Sequence, residues 1–187
     1  IPKPGREARI VDASGLPLPA GAVGELVIRG QGLMAGYDDE PEATAQVMRD
    51  GWMHTGDLAR MDEAGNFYLV GRIKDVVRRA GENIAAREVE DTLLAHPSVR
   101  IAAIVGVPDD LRGEEVKAYL VRSDDLDAAA TAAELAPWCR ERIASFKVPR
   151  FWEVRADLPR TPSERVDKKA LIPGTTWDLV EERWLAP

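Results

Sequence analysis

Alternation of apolar and polar residues marks the first third of the chain as β-structure. Residues 8–12 (ARIVD) and 23–29 (VGELVIR) alternate with the period of a half-buried strand. A loop rich in Gly and Pro separates them, and residues 67–71 form a further predicted strand after a turn at 62–66. The first 72 residues are therefore predicted to be all-β.

The pattern changes at about residue 73, where helical periods appear between the strands. Residues 85–96 place Val89 and Leu93 on one helical face, and a capping box (TAAE) at 131–134 precedes a second helix. Pro137 is expected to shift the start of that second helix to about residue 136. The nearly apolar run 101–107 predicts a strand buried on both faces. Further strands are predicted at 73–79, 116–121 and 151–154.

This order of elements predicts an α+β architecture. Residues 1–72 would form one β-rich part, residues 73–172 a compact domain with a small sheet and helices, and residues 173–187 a tail without a clear pattern. The chain begins at Ile1 rather than Met, so we expect it to be a piece of a longer protein.

Composition excludes several classes of protein. The chain carries 25 Lys and Arg against 32 Asp and Glu, a net charge of −7, which argues against a general nucleic-acid binder. A hydrophobic content of 45% argues against disorder. No apolar run reaches membrane-spanning length. The single cysteine, Cys139, is expected in the core, and its lack of a partner is typical of a reducing compartment, so we expect a cytoplasmic protein.

Three segments carry residues that could take part in chemistry, and each could also have a purely structural role. Residues 52–58 (WMHTGDL) present the Asp57 carboxylate at a predicted Gly turn, where it could accept hydrogen bonds from vicinal hydroxyls or merely cap the turn. Residues 71–84 combine cations, carboxylates and a glycine loop, or form a polar linker. Residues 158–168 (LPRTPSERVDK) form a proline-rich basic loop that delivers a cation, or a solvated loop.

Other chemistries find little support in the sequence. The segments 72–87 and 147–172 are locally basic, which favours a small anionic ligand over a polymer, although solvated faces would look similar. The chain contains no GxGxxG, no P-loop and no GxSxG motif. His54 and His96 have no Cys or carboxylate at ligand spacing, so no metal site is expected.

Taken in order, these segments resemble the adenylate-forming superfamily of acyl-CoA synthetases, adenylation domains and luciferases. The resemblance runs from about residue 4 to 171. Its motifs are Gly24-Glu25-Leu26, Gly36-Tyr37, residues 41–44 (PEAT), residues 52–58, residues 71–75 (GRIKD), residues 81–84 (GENI) with Glu88 and Glu90, residues 96–99 (HPSV), residues 106–109 (GVPD), Gly113-Glu114, residues 146–149 (FKVP) and residues 158–161 (LPRT). It implies a mobile C-terminal α+β domain preceded by an incomplete, barrel-like β subdomain of a larger domain.

The resemblance also implies substrates and site residues. The substrates would be a carboxylic acid, ATP (with Mg in the parent enzyme) and CoA. Asp57 and Arg72 would bind the ribose, Lys74 would be the hinge of the mobile domain, and Gly81 and Glu82 would line the pantetheine tunnel. The nucleotide end of CoA would contact Phe146, Lys147 and Arg150.

Two departures from the family pattern matter. The usual Ser-Gly-Lys is replaced by Ser163-Glu164-Arg165, so either Arg165 is the catalytic cation, or Lys168 or Lys169 substitutes, or adenylation is slow; we favour Arg165. The family's phosphate-binding loop and acyl pocket, which lie upstream, are missing, so the identity of the acid cannot be inferred.

The leading interpretation is the C-terminal fragment of an ATP-dependent acid–CoA ligase, inactive alone and prone to oligomerise through exposed strand edges. The alternatives are an adenylation domain that loads a carrier protein, and a non-catalytic binding module.

Overall fold

The computed structural model describes residues 4–186 and contains two compact units. The first unit ends at Lys74 and the second begins at Asp75. The described part of the chain has twelve strands and three α-helices, an α+β fold as the sequence predicts. No helix within it is both long and apolar enough to cross a membrane.

The first unit is an antiparallel sheet with one short helix. Its elements are β1 (Arg6–Val11), β2 (Val23–Gly30), α1 (Pro41–Val47), β3 (Met48–Arg49), β4 (Trp52–Met61) and β5 (Phe67–Arg72). The strand order is β1-β2-β4-β3, and β5 pairs with β4. Ile10 and Val27, apolar positions of the alternating pattern, are buried. The strands predicted at 8–12, 23–29 and 67–71 are confirmed.

The second unit is built on a seven-stranded mixed sheet. A 3-10 turn (Ile73–Asp75) leads into β6 (Val76–Arg79), β7 (Glu82–Ala85), α2 (Ala86–Leu94), β8 (Val99–Asp109), β9 (Gly113–Arg122), α3 (Ala128–Arg140), β10 (Phe151–Val154), β11 (Thr176–Asp178) and β12 (Arg183–Leu185). The strand order is β12-β11-β10-β9-β6-β7, and β8 pairs with β9. β9 is antiparallel to β8 and parallel to β10, so it lies at the centre of the sheet.

Alternate residues of β9 point to opposite faces of this sheet and bury two separate clusters. Val116, Ala118 and Leu120 pack with Leu93 of α2, with Leu135 of α3 and with other core residues. Tyr119 and Val121 instead pack with Ala103, Leu158, Val166 and Leu171, so the loop that follows β10 covers the other face. The strand predicted at 101–107 therefore contributes to both clusters, as its apolar run indicates.

The predicted start of the helix near residue 136 is wrong. α3 begins at Ala128 with Asp127 as its N-cap, whose carboxylate accepts a hydrogen bond of 2.8 Å from the Ala130 amide. Thr131, expected to cap, lies inside the helix, and its buried hydroxyl has no partner among residues 4–186. Pro137 forfeits one backbone hydrogen bond without ending the helix, because Leu135 and Cys139 are fully buried against the sheet.

The segment 173–187, interpreted from sequence as a tail, differs from that expectation. Its residues supply β11 and β12, and β11 pairs with β10 through Phe151–Asp178 and Trp152–Trp177. These strands are three residues long and depend on a partner strand distant in sequence, so their own pattern carries little signal.

Candidate functional site

Asp57 and Arg72 lie directly opposite each other on β4 and β5. The Arg72 Nε and the Asp57 Oδ1 are 2.8 Å apart, and the side chain of Asp57 remains one-quarter exposed. Within residues 4–186, Arg72 is the only cation paired with this carboxylate. Two residues that the sequence assigned to one ligand are therefore neighbours, and the carboxylate keeps lone pairs for hydroxyl donors from solvent.

The Thr-Gly-Asp segment is a bulge inside β4 rather than the turn predicted from the sequence. Between the pairs Val27–His54 and Glu25–Leu58, β2 advances two residues while β4 advances four. Gly56 takes a φ of +70°, a conformation that costs glycine little. Thr55 donates its hydroxyl to the Leu26 carbonyl at 2.8 Å and accepts the Asp57 amide at 3.1 Å. The bulge thus directs Asp57 toward Arg72 with its backbone groups partnered.

Glu25 and His54 form a contact beside this bulge that the sequence reading missed. The Nδ1 of His54 is 2.7 Å from the Glu25 Oε2, and the two side chains are only 13% and 14% exposed. The other oxygen of Glu25 accepts the Gly56 amide at 3.1 Å. The two residues are 29 positions apart, so the only available signal was a carboxylate within the apolar alternation of β2.

The glycine loop is the tip of the hairpin between β6 and β7. Ala80 and Gly81 have φ values of +49° and +85°, as in a two-residue type I′ turn. Glu82 follows the turn and is exposed. Lys74 is also exposed, in the 3-10 turn where the first compact unit ends. At the tip the Ala80 amide donates to the Arg112 carbonyl at 2.8 Å, and a Cβ added to Gly81 would meet nothing within 4 Å among residues 4–186.

The cations assigned to CoA contacts are held by carboxylates. The Nζ of Lys147 is 2.7 Å from both oxygens of Glu88, and Phe146 packs partly buried against the core. Arg150 makes a bidentate pair with the buried Asp178 at 3.0 and 2.9 Å. Burial acts to raise the pKa of Asp178, but hydrogen bonds from Arg150 and two backbone amides outweigh it, so the pKa lies below its usual value. A phosphate would have to compete with these carboxylates.

The loop that carries the candidate catalytic cation folds back on itself. The Thr161 amide donates to the Arg165 carbonyl at 2.8 Å, and Glu164 at the turn has a φ of +61°. Arg165 is exposed and has no ion-pair partner between residues 4 and 186. Lys168, in contrast, lies 2.7 Å from the Glu90 Oε1, whereas Lys169 is exposed. The geometry favours Arg165 over Lys168 as the cation available to a ligand.

Cys139 lies in the core as predicted, and burial raises the pKa of its thiol to about 11, so it is protonated at neutral pH. In the portion from residue 4 to 186, no three His, Cys, Asp or Glu side chains are grouped closely enough to hold a metal ion.

Comparison with known proteins gives concordant matches. Residues 88–165 match the AMP-binding enzyme C-terminal domain. The chain is 41% identical over 169 residues to sulfoacetate–CoA ligase of Cupriavidus necator, covering 90% of this chain and 33% of that protein. The chain thus spans about a third of the length of the curated relatives it matches.

Solved structures agree with this assignment. The o-succinylbenzoate CoA synthetase of Bacillus subtilis, in complex with an acyl-adenylate intermediate, superposes with a TM-score of 0.84 at 32% identity, covering 90% of this chain and 34% of that one. The amide bond synthetase of Marinactinospora thermotolerans has a TM-score of 0.79 at 41% identity, covering 89% and 34%. Residues 88–165 thus match the AMP-binding enzyme C-terminal domain, and over 90% of its length the chain is similar to CoA ligases and synthetases of which it spans about a third.

Proposed function

We propose that this chain is the C-terminal part of an ATP-dependent acid–CoA ligase. A carboxylate would attack the α-phosphorus of ATP to give acyl-AMP and pyrophosphate, and the CoA thiol would then displace AMP to give the thioester. The observation that carries the proposal is the Asp57–Arg72 pair at the β4 bulge, in a chain similar to several CoA ligases.

The ribose is the part of the substrate that this pair fits. The Arg72 guanidinium occupies one side of the Asp57 carboxylate, and the exposed quarter of Asp57 leaves acceptor capacity for two hydroxyl groups. Because the carboxylate is charged, each such hydrogen bond is stronger than one between neutral groups. Asp57 would thus orient the adenosine moiety in both half-reactions.

Arg165 would supply positive charge to the carboxylate and the α-phosphate during adenylation. Its exposure supports this role, and the Lys168–Glu90 pair argues against Lys168 as the substitute. In the second half-reaction Gly81 and Glu82 would line the pantetheine tunnel after a rotation about Lys74. Phe146, Lys147 and Arg150 would contact the CoA nucleotide, with Lys147 exchanging Glu88 for a phosphate.

The experiment uses the full-length protein that carries this chain. We expect acid-dependent exchange between ATP and pyrophosphate, and a thioester product when CoA is added. Asp57→Ala should raise the KM for ATP at least about tenfold, the effect of losing hydrogen bonds to a charged group. Glu7→Ala is the control, because Glu7 also pairs with an arginine, Arg29, across two neighbouring strands, β1 and β2, and touches no candidate residue.

Three outcomes would count against the proposal. Exchange that does not depend on an acid would exclude adenylation of a carboxylate, and equal effects of Asp57→Ala and Glu7→Ala would exclude the ribose role. Exchange without a CoA thioester would point to another acceptor. The isolated 187-residue chain should give neither reaction, since it spans only about a third of similar ligases.

A second candidate function differs only in the molecule that accepts the acyl group from the acyl-adenylate. The similarity to an amide bond synthetase favours testing an amine as the acceptor of the acyl-adenylate. Amines and carrier proteins offered in place of CoA would identify amide formation or carrier loading. The non-catalytic alternative predicts a native product of this length, which the intact mass of the expressed gene product would reveal.

A further inference from the structure

The bulge that presents Asp57 has an unusual requirement for hydrogen-bond partners. Its two extra residues interrupt the β2–β4 ladder, so the amides within it cannot all reach carbonyls of β2. An unpaired amide at a half-buried position is destabilising, and a loop that lacks such partners samples several conformations. Some group other than the backbone must therefore hold the bulge in place.

The Glu25 carboxylate provides that partner from the neighbouring strand. One oxygen accepts the Gly56 amide at 3.1 Å, immediately before Asp57 in the chain. The other oxygen contacts the His54 Nδ1 at 2.7 Å, and Arg49 lies 3.8 Å from it. The centre of the bulge and the residue before it are thus tied to one side chain, which is only 14% exposed, while the Thr55 hydroxyl accepts the Asp57 amide at the far end.

We propose that Glu25, supported by His54, is a positioning residue that fixes the Gly56 bulge and thereby sets the direction of the Asp57 carboxylate toward the ribose hydroxyls. Glu25 touches no substrate in this role. The inference rests on the proposed function only through the ribose contact of Asp57. Its consequence is specific: without Glu25 the protein loses discrimination for ribose hydroxyls, while contacts to the adenine and phosphate remain.

The test compares the affinities for AMP and 2′,3′-dideoxy-AMP in the full-length protein, measured by calorimetry. A ratio of two affinities is insensitive to the fraction of unfolded protein, because unfolding weakens both equally. We expect the wild-type protein to prefer AMP about tenfold or more, and Asp57→Ala to abolish the preference. Glu25→Ala should reduce the preference at least about threefold, and Glu25→Gln, which keeps one acceptor oxygen, should retain part of it. Glu7→Ala should leave it unchanged.

The outcomes separate this inference from the proposed function. If Asp57→Ala abolishes the preference but both Glu25 variants keep it in full, Glu25 does not position Asp57 and the inference is wrong. If the wild-type protein shows no preference, the ribose role of Asp57 fails and the inference fails with it. If Glu25→Ala does not fold, the isosteric Glu25→Gln decides: amide hydrogen exchange of segment 55–57 should accelerate at least about fivefold relative to wild type, and unchanged exchange would overturn the inference.

Discussion

At the scale of single residues, Glu164, which precedes Arg165 in its turn, has a backbone conformation that is unfavourable for a residue with a side chain. Glu164 has a φ of +61°, in the left-handed region where a Cβ atom clashes with the backbone. The Ser-Gly-Lys motif that residues 163–165 resemble has glycine at this position, and the turn takes a conformation that favours glycine. The hydrogen bond between Thr161 and Arg165, together with the packing of Val166, holds the loop in this conformation.

This conformation predicts that Glu164→Gly stabilises the second unit. Relief of the left-handed strain is worth about 1–2 kcal/mol, and the greater freedom of glycine in the unfolded chain offsets about 0.4–1 kcal/mol. We expect the free energy of unfolding to rise by about 0.5 kcal/mol in urea titrations followed by tryptophan fluorescence. Ser163→Gly, at a neighbouring exposed position without positive φ, should be destabilising. A loss of stability in both variants would contradict the prediction that the backbone of Glu164 is strained.

At the scale of elements, the strands β10 and β11 are joined by a buried polar network centred on Glu153. The Lys117 Nζ is 2.7 Å from its Oε2, which also accepts the Gly174 amide at 3.1 Å and the Thr176 hydroxyl at 3.2 Å. Burial acts to raise the pKa of Glu153, but the hydrogen bonds from Lys117 and Arg155 prevail, and its pKa lies below the usual 4.5. The segment 174–178 is thereby fastened to the sheet.

The network predicts a stability that depends on pH. Because the pKa is lowered by folding, the contribution of ionised Glu153 is complete above pH 4.5 and is lost as the pH falls through the lowered value. Glu153→Gln should cost about 3 kcal/mol at neutral pH, since it leaves the Lys117 ammonium buried without a counter-ion. The difference from wild type should shrink in a second measurement at a pH below 4.5, as wild-type Glu153 is protonated through its lowered pKa. Urea unfolding at both pH values measures this. Glu141→Gln, on an exposed pair, should have no effect, and a difference that is constant with pH would contradict the assignment.

Local patterns predicted most elements but not those that depend on distant partners. The alternation in β1 and β2 and the apolar run in β8 were sufficient to predict these strands, because the residues on a buried face are apolar and recur with the period of the strand. β4 was missed since its centre is polar: the partners of His54, Thr55 and Asp57 are the Glu25 carboxylate, the Leu26 carbonyl and the Arg72 guanidinium, which lie on other strands. The start of α3 was missed because Pro137 was taken to exclude an earlier start, whereas the burial of Leu135 and Cys139 keeps it inside a helix that Asp127 caps.

The candidate site, too, was predictable where local motifs mark it and not where it depends on distant partners. Asp57 and Arg72 could be singled out by their motifs, and their pairing is set by the β4–β5 register. The engagement of Lys147 by Glu88 and of Lys168 by Glu90 could not be inferred, because both pairs join a helix to a loop more than fifty residues away. Charge in a sequence indicates which cations exist, and the fold decides which of them are available.

At the scale of the whole molecule, the first unit has surfaces that favour association of the isolated chain. β5 pairs only with β4 within residues 4–186, so its outer edge presents free backbone donors and acceptors. Leu69 on this strand is 70% exposed, and Tyr68 beside it is 44% exposed. An apolar, unpaired edge is a template for pairing with a second copy. We therefore expect the mass-average molecular weight in light scattering to rise with concentration above that of a monomer.

The edge of β5 can be tested as the cause of this association. Leu69→Lys places a charge on the edge strand and should return the chain to a monomer over the same range of concentration, because pairing would bring the charges of two copies together. Leu111→Lys is the matched control: Leu111 is 90% exposed but lies in the turn between β8 and β9, outside β5. It should leave the association unchanged. A wild-type chain that stays monomeric at every concentration would contradict the prediction, and equal effects of the two variants would show that general surface charge, rather than the β5 edge, controls association.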